Sequence, residues 1–70
     1  MRNRLEELRA QRSWTQEDLA DRVDVSRQTI ISLERGRYNP SITLAFRLAR
    51  LFGMQIEDVF LYADEEDGRG

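Results

Sequence analysis

Arg27 and Gln28 stand side by side and carry the two side chains best matched to the edges of nucleic-acid bases. Arginine pairs bidentately with the O6 and N7 of guanine, and glutamine with the N6 and N7 of adenine. Ile31 and Ser32, about one helical turn further on, would bring an apolar surface for a thymine methyl and a hydroxyl to the same side. The plainer alternative is a solvated helix face that touches only phosphate, with Ile31 an incidental surface isoleucine. Other chemistry is poorly provided for. The chain has no Cys and no His, so it has no disulfide, no thiolate or imidazole metal ligand, no imidazole base and no thiol nucleophile. Glu17/Asp18 and Glu57/Asp58 are a weak basis for a metal-dependent nuclease, because neighbours on a helix point about 100° apart and do not converge on one ion. The expectation is a non-enzymatic binding protein with no cofactor and no metal.

Seventy residues, 40% of them hydrophobic, suffice for one small core and not for two. No apolar stretch approaches the roughly 20 residues of a membrane span, and no charged, apolar and small-residue leader opens the sequence. A cytoplasmic protein without membrane contact is therefore expected. The 11 basic residues, all Arg, stand against 13 acids for a formal net charge of −2, which at first argues against a polyanionic partner. Their distribution reverses this. Six acids (Glu57, Asp58, Asp64, Glu65, Glu66, Asp67) lie in the last 14 residues, leaving residues 1 to 56 with 10 Arg against 7 acids, a net of +3. Asp64-Glu65-Glu66-Asp67 and the following Gly-Arg-Gly hold nothing to bury, so residues 63–70 are expected to be an acidic flexible tail after a domain of residues 1–62.

Apolar spacing and caps predict short helices throughout, with no strand-like alternation, hence an all-α fold. The first helix is expected after Asn3, with Glu6 completing a capping-box arrangement, Leu5 and Leu8 on one face and an end near Arg12. Thr15 caps a second helix whose first turn holds Glu17 and Asp18 and which turns Leu19, Ala20 and Val23 inward. Trp14, just before that cap, suits a staple packing onto the helix. Only Asp24 and Val25 separate Val23 from the next cap, Ser26, a break that fits the steep crossing of a helix-turn-helix better than an antiparallel hairpin. The third helix, Arg27 to about Arg35, turns Ile30 and Leu33 inward and leaves Arg27, Gln28, Ile31 and Ser32 outward. Gly36 supplies its left-handed stop. After a loop, Ser41 caps a fourth helix that ends at Gly53, and a short fifth helix covers about Ile56 to Phe60.

Candidate phosphate donors surround this surface. Arg35 and Arg37 flank Gly36, Tyr38 and Asn39 add neutral donors, and Gln16 offers its amide at the positive end of the second helix. Ser26 and Arg12 complete the set; for each Arg a solubilising surface charge is the alternative.

Leu8-Arg9, Thr15-Gln16-Glu17-Asp18-Leu19-Ala20, Val25-Ser26-Arg27-Gln28-Thr29-Ile30, Glu34-Arg35-Gly36 and Asn39-Pro40-Ser41 together resemble the Xre/Cro family of helix-turn-helix DNA-binding domains. The resemblance covers residues 2 to about 60 in one register, and the short chain is similar to the stand-alone regulators of that family. It implies a compact five-helix, lambda-repressor-like fold whose second and third helices dock on the DNA major groove. It also implies a phosphate contact at Gln16 and a structural ion pair between Arg9 and Glu34. Two positions depart from the pattern: Asp24 stands where most members have Gly in the turn, and Gln55 replaces the usual Ser-type cap of the fifth helix.

The fourth helix points to assembly. Placed at 100° intervals, Thr43, Arg47 and Arg50 form one narrow polar stripe, while apolar residues from Ile42 to Phe52 cover an arc too wide for one surface helix. A homodimer is expected, with Leu44, Leu51, Phe60, Leu61 and Tyr62 in its interface. A fully intramolecular core is the alternative. The expected function is a sequence-specific transcriptional regulator, most simply a repressor that occupies a pseudo-palindromic operator in double-stranded DNA. The alternative is an antitoxin-like or adaptor module whose apolar fourth helix and acidic end bind a protein partner.

Overall fold

The computed structural model describes residues 2–37 and 39–61; Met1, Tyr38, Tyr62 and the expected acidic tail lie outside the described residues. Five helices follow in order: α1 Leu5–Gln11, α2 Gln16–Val23, α3 Arg27–Glu34, α4 Ile42–Leu51 and α5 Ile56–Val59. Each of the three central helices starts where an oxygen side chain meets an orphan amide. Thr15 Oγ1 accepts from Asp18 N at 3.0 Å while Asp18 Oδ2 accepts from Thr15 N at 2.9 Å, a reciprocal capping box. Ser26 caps α3 and Ser41 caps α4 in the same way, through Thr29 N and Leu44 N. The turn after α2 passes through Asp24 in the left-handed region (φ 62°, ψ 48°), and α4 ends before Gly53 at φ 67°. Ser13, after α1, is also left-handed at φ 60°.

One buried cluster joins all five helices. Leu5 and Leu8 of α1, Leu19 of α2, Ile30 and Leu33 of α3, Leu48 of α4 and Val59 of α5 are almost wholly enclosed. Each such side chain is worth about 1.5–3 kcal/mol relative to exposure, so helix faces rather than intrinsic propensity decide where these short segments settle. Trp14 is half-buried against this cluster. Its ring meets that of Phe52 at 5.8 Å between centroids. Arg22 lies against the same indole, with the guanidinium carbon 4.2 Å from the ring centre.

The start of α1 differs from the capping-box expectation. Arg4 occupies the cap position without a side-chain cap bond, and Asn3 Oδ1 accepts from Leu5 N at 3.1 Å. Asn3 is held extended because it forms an antiparallel bridge with Phe60, flanked by Arg4 N donating to Val59 O at 2.9 Å and Leu61 N donating to Arg2 O at 2.8 Å. The two ends of the described chain are thus tied together, the one β feature among the described residues. Gln55 N donates to Asp58 Oδ2 at 3.4 Å, so α5 takes its cap from Asp58 despite lacking a Ser-type residue. Among the described residues no helix is long and apolar enough to cross a membrane.

Candidate nucleic-acid interface

α3 begins at Arg27 because Ser26, in extended backbone, accepts from Thr29 N at 3.2 Å and shares a 2.9 Å hydrogen bond with the Thr29 hydroxyl. Its first turn contains no acidic residue, unlike that of α2, which holds Glu17 and Asp18. The positive end of the α3 dipole is therefore not neutralised from within the helix and favours an external anion. Ile30 and Leu33 face the core. Arg27 and Gln28 are exposed, whereas Ile31 and Ser32 are half-buried. Ile31, expected fully outward, stands one 100° step from buried Ile30 and so lies at the margin of the packed face. The accessible chemistry of this face is thus dominated by guanidinium and amide.

Two side chains from elsewhere fix how α3 sits. Arg9 Nε donates to Glu34 Oε2 at 2.8 Å and Arg9 Nη2 to Glu34 Oε1 at 3.2 Å, while Arg9 Nη1 donates to the Trp14 carbonyl at 3.0 Å. Hydrogen bonding to Glu34 is the largest influence raising the Arg9 pKa, against the opposing effect of burial. The pair is shielded, with side-chain exposures of 16% and 6%. Asn3 Nδ2 donates to Leu33 O at 2.7 Å, satisfying a carbonyl at the α3 C-terminus. Arg47 of α4 performs the same service for α2, donating to Val23 O at 3.2 Å just before the left-handed turn. Neither Asn3 nor Arg47 was marked as a site residue by the sequence, since their partners lie 30 and 24 positions away.

The remaining candidates fall into different settings. Gln16 Nε2 donates to Glu34 Oε1 at 3.0 Å, which leaves one of its two amide hydrogens for another acceptor. Arg35, Arg37 and Asn39 are exposed in the segment that leaves α3 around left-handed Gly36; Tyr38 between them is outside the described residues. Ser26 spends its hydroxyl on capping. The Arg12 guanidinium lies over the rings of Phe52 and Trp14, at 4.9 and 5.6 Å. The residues expected at a partner surface need correction. Leu44, on the face of α4 turned toward the other helices, and Phe60, which follows α5 and bridges to Asn3, are buried in the chain's own core, and Leu51 and Leu61 are half-buried. The large apolar side chains left exposed are instead Ile42 (76%) and Phe46 (53%). Both were visible in the wide apolar arc of α4, but its width alone did not reveal which edge lacked cover.

Two short helices joined by a left-handed turn, the second presenting arginine and glutamine from a well-capped N-terminus, define a DNA-binding module of the helix-turn-helix class. The family model described as helix-turn-helix matches residues 5–59, and the chain belongs to that family, in its Xre-type form. It is similar to an uncharacterised HTH-type transcriptional regulator of Methanocaldococcus jannaschii, at 54% identity over 66 residues, spanning 94% of this chain and all of that one. It is also similar to the competence pilus inhibition repressor of Acinetobacter baylyi, at 35% identity over 90% of this chain and 57% of that protein. Among solved structures, the restriction-modification controller protein C.AhdI of Aeromonas hydrophila superposes with a TM-score of 0.73 at 32% identity, covering 81% of this chain and 86% of the controller. Fold, site and relatives agree on a DNA-binding transcriptional regulator.

Proposed function

We propose that this regulator represses transcription by occupying a pseudo-palindromic operator as a homodimer, with Arg27 and Gln28 reading base edges in the major groove. Ile31 and Ser32 border that reading surface. Arg35, Arg37 and Asn39 hold the phosphate backbone where the chain leaves α3, and the free amide hydrogen of Gln16 adds a contact at the start of α2. Ser26 and Arg12, engaged in a cap and on aromatic rings, contribute less to phosphate binding than their positions in the sequence suggest. The observation that carries the reading is the N-terminal end of α3, where exposed Arg27 and Gln28 project from a helix with no acid in its first turn. Repression is supported by likeness to the competence pilus inhibition repressor of Acinetobacter baylyi. A two-fold dimer places two recognition helices on one side of the duplex, with half-sites about 10 base pairs apart or a multiple of that. Selecting bound duplexes from a random pool tests it. An inverted repeat at that spacing is expected; a pool that stays random after repeated rounds would refute sequence-specific binding.

A further inference from the structure

The chain leaves α5 beside the recognition helix. Leu61 N donates to Arg2 O at 2.8 Å, Phe60 bridges to Asn3, and the Asn3 amide reaches Leu33 O near the end of α3 at 2.7 Å. Arg35 and Arg37, which follow Leu33 as the chain exits α3, are exposed. Neither guanidinium enters an ion pair among the described residues. After Leu61 the sequence continues with Tyr62 and Ala63 and then four acids, Asp64-Glu65-Glu66-Asp67. At about 3.3–3.6 Å per residue, Asp64 can reach about 10 Å from Leu61 and Asp67 about 20 Å. Because Asn3 links the start of this segment to the end of α3, that reach takes in Arg35 and Arg37.

We propose that the acids of residues 64–67 dock on Arg35 and Arg37 of the same chain when DNA is absent, and that a duplex must displace them to bind. Charge complementarity and reach carry the argument. A carboxylate offers guanidinium the same forked pair of acceptor oxygens that a phosphate does, so the acids can occupy the contacts that DNA would use. A tether of a few residues holds them there at an effective concentration on the order of millimolar. The contact also gives a role to the acids that turn an arginine excess over residues 1 to 56 into a net charge of −2 for the whole chain. Phosphates repeat whatever the base sequence, so this competitor lowers affinity for every duplex alike and leaves the ratio of operator to scrambled binding unchanged. The inference rests on the phosphate-binding role of Arg35 and Arg37 in the proposed function and deepens it by adding a built-in competitor, yet the contact itself is measured without DNA.

The chain has no cysteine, so Gly68→Cys gives a single attachment point for a nitroxide spin label on the full chain. At low salt the label should broaden the amide NMR signals of Arg35, Gly36 and Arg37, and the broadening should fade at high salt and on addition of a mixed-sequence duplex. Neutralising the four acids (Asp64→Asn, Glu65→Gln, Glu66→Gln and Asp67→Asn together) should abolish the broadening. The same variant should bind operator and scrambled duplexes about three- to tenfold more tightly at low salt, the scale of two or three exposed ion pairs acting together, and no more tightly at high salt. Spin-labelled chains mixed with isotope-labelled chains lacking the nitroxide should show no broadening; broadening there would move the contact to a neighbouring copy and overturn its assignment to the same chain. Broadening that survives neutralisation, or a neutral variant that binds DNA no better than wild type, would overturn the proposal. Tighter DNA binding without any broadening in wild type would reduce the acids to long-range repulsion and overturn docking. If the broadening behaves as expected but neither form binds any duplex, the DNA-binding reading fails and the contact stands; normal duplex binding with no broadening leaves the reading and removes the contact.

Discussion

Arg9 Nε and Glu34 Oε2 meet at 2.8 Å across 25 positions of sequence, joining α1 to the last residue of the recognition helix. The second arm of the guanidinium reaches Glu34 Oε1, making the contact a two-pronged fork, the most directional form an ion pair takes. Because the same Oε1 accepts from Gln16, one carboxylate sets both the end of α3 and the start of α2. An acid in an otherwise arginine-rich neighbourhood thus has a geometric role: it holds the two helices of the DNA-binding unit against the helix beneath them.

Replacing Glu34 by Ala strands the Arg9 charge in a site where its side chain is mostly enclosed and leaves a Gln16 amide hydrogen without its acceptor. The expected loss is about 1–4 kcal/mol of folding stability, reaching at its upper end the cost of breaking one side of a buried pair. Urea denaturation of Glu34→Ala, Arg9→Ala and the double variant measures it. The double variant should lose clearly less than the two singles added together. Strict additivity would show that the fork carries no coupling energy.

Much of the fold was legible because its signals are local. Thr15, Ser26 and Ser41 cap helices through amides three residues on, and Asp24 and Gly36 stop helices through their own backbone conformation. Ile30 and Leu33 against Arg27 and Gln28 separate by the turn of the helix alone. The contacts that escaped are those between distant segments. Asn3 looks like a helix cap, but it is drawn into an extended bridge with Phe60 and lends its amide to Leu33. Arg47 looks like a surface charge and instead caps α2. Leu44 and Ile42 are equally apolar in sequence; only the placement of α2 and α5 against α4 buries the first and leaves the second bare.

Asp24 should be replaceable by Gly with no loss and a gain of up to about 1 kcal/mol. Its φ of 62° lies where an L side chain is strained, and its carboxylate makes no hydrogen bond in the described structure. The greater freedom that Gly gives the unfolded chain opposes this gain and keeps it small. Thermal melts of the variant test the balance. A fall in stability of more than about 1 kcal/mol would mean that the Asp24 side chain holds the turn by a contact of its own.

Acid should loosen the start of α2 before the rest of the domain. Hydrogen bonds from the Thr15 backbone and then its side chain hold the Asp18 carboxyl below the usual carboxylate range. A folded-state pKa lowered in this way stabilises the protein fully above the unfolded value of about 4. That contribution fades as the pH falls through the lower, folded value. Asp18→Asn should therefore melt below wild type at pH 7, with the difference shrinking as the pH is taken below about 4. A difference that is constant with pH would show that the carboxylate charge plays no part in the cap.

Base reading and backbone positioning should separate cleanly by mutation. If Arg27 and Gln28 contact base edges, replacing either by Ala should weaken binding to the preferred operator by about 1–3 kcal/mol and relax preference at one position per half-site. Arg35→Ala and Arg37→Ala should behave otherwise, weakening all duplexes alike and lowering the slope of log affinity against log salt by about one unit for each phosphate no longer neutralised. The distinction follows from the polymer: phosphates repeat whatever the sequence, and base edges do not. Competitive binding of each variant to operator and scrambled duplexes over a salt series reads both quantities at once. An unchanged operator-to-scrambled ratio in both Arg27→Ala and Gln28→Ala would move the specificity to half-buried Ile31 and Ser32 or to the shape of the DNA. The exposed end of α3 would then be an electrostatic anchor and not a reader, since its charge and free helix amides attract phosphate in any sequence.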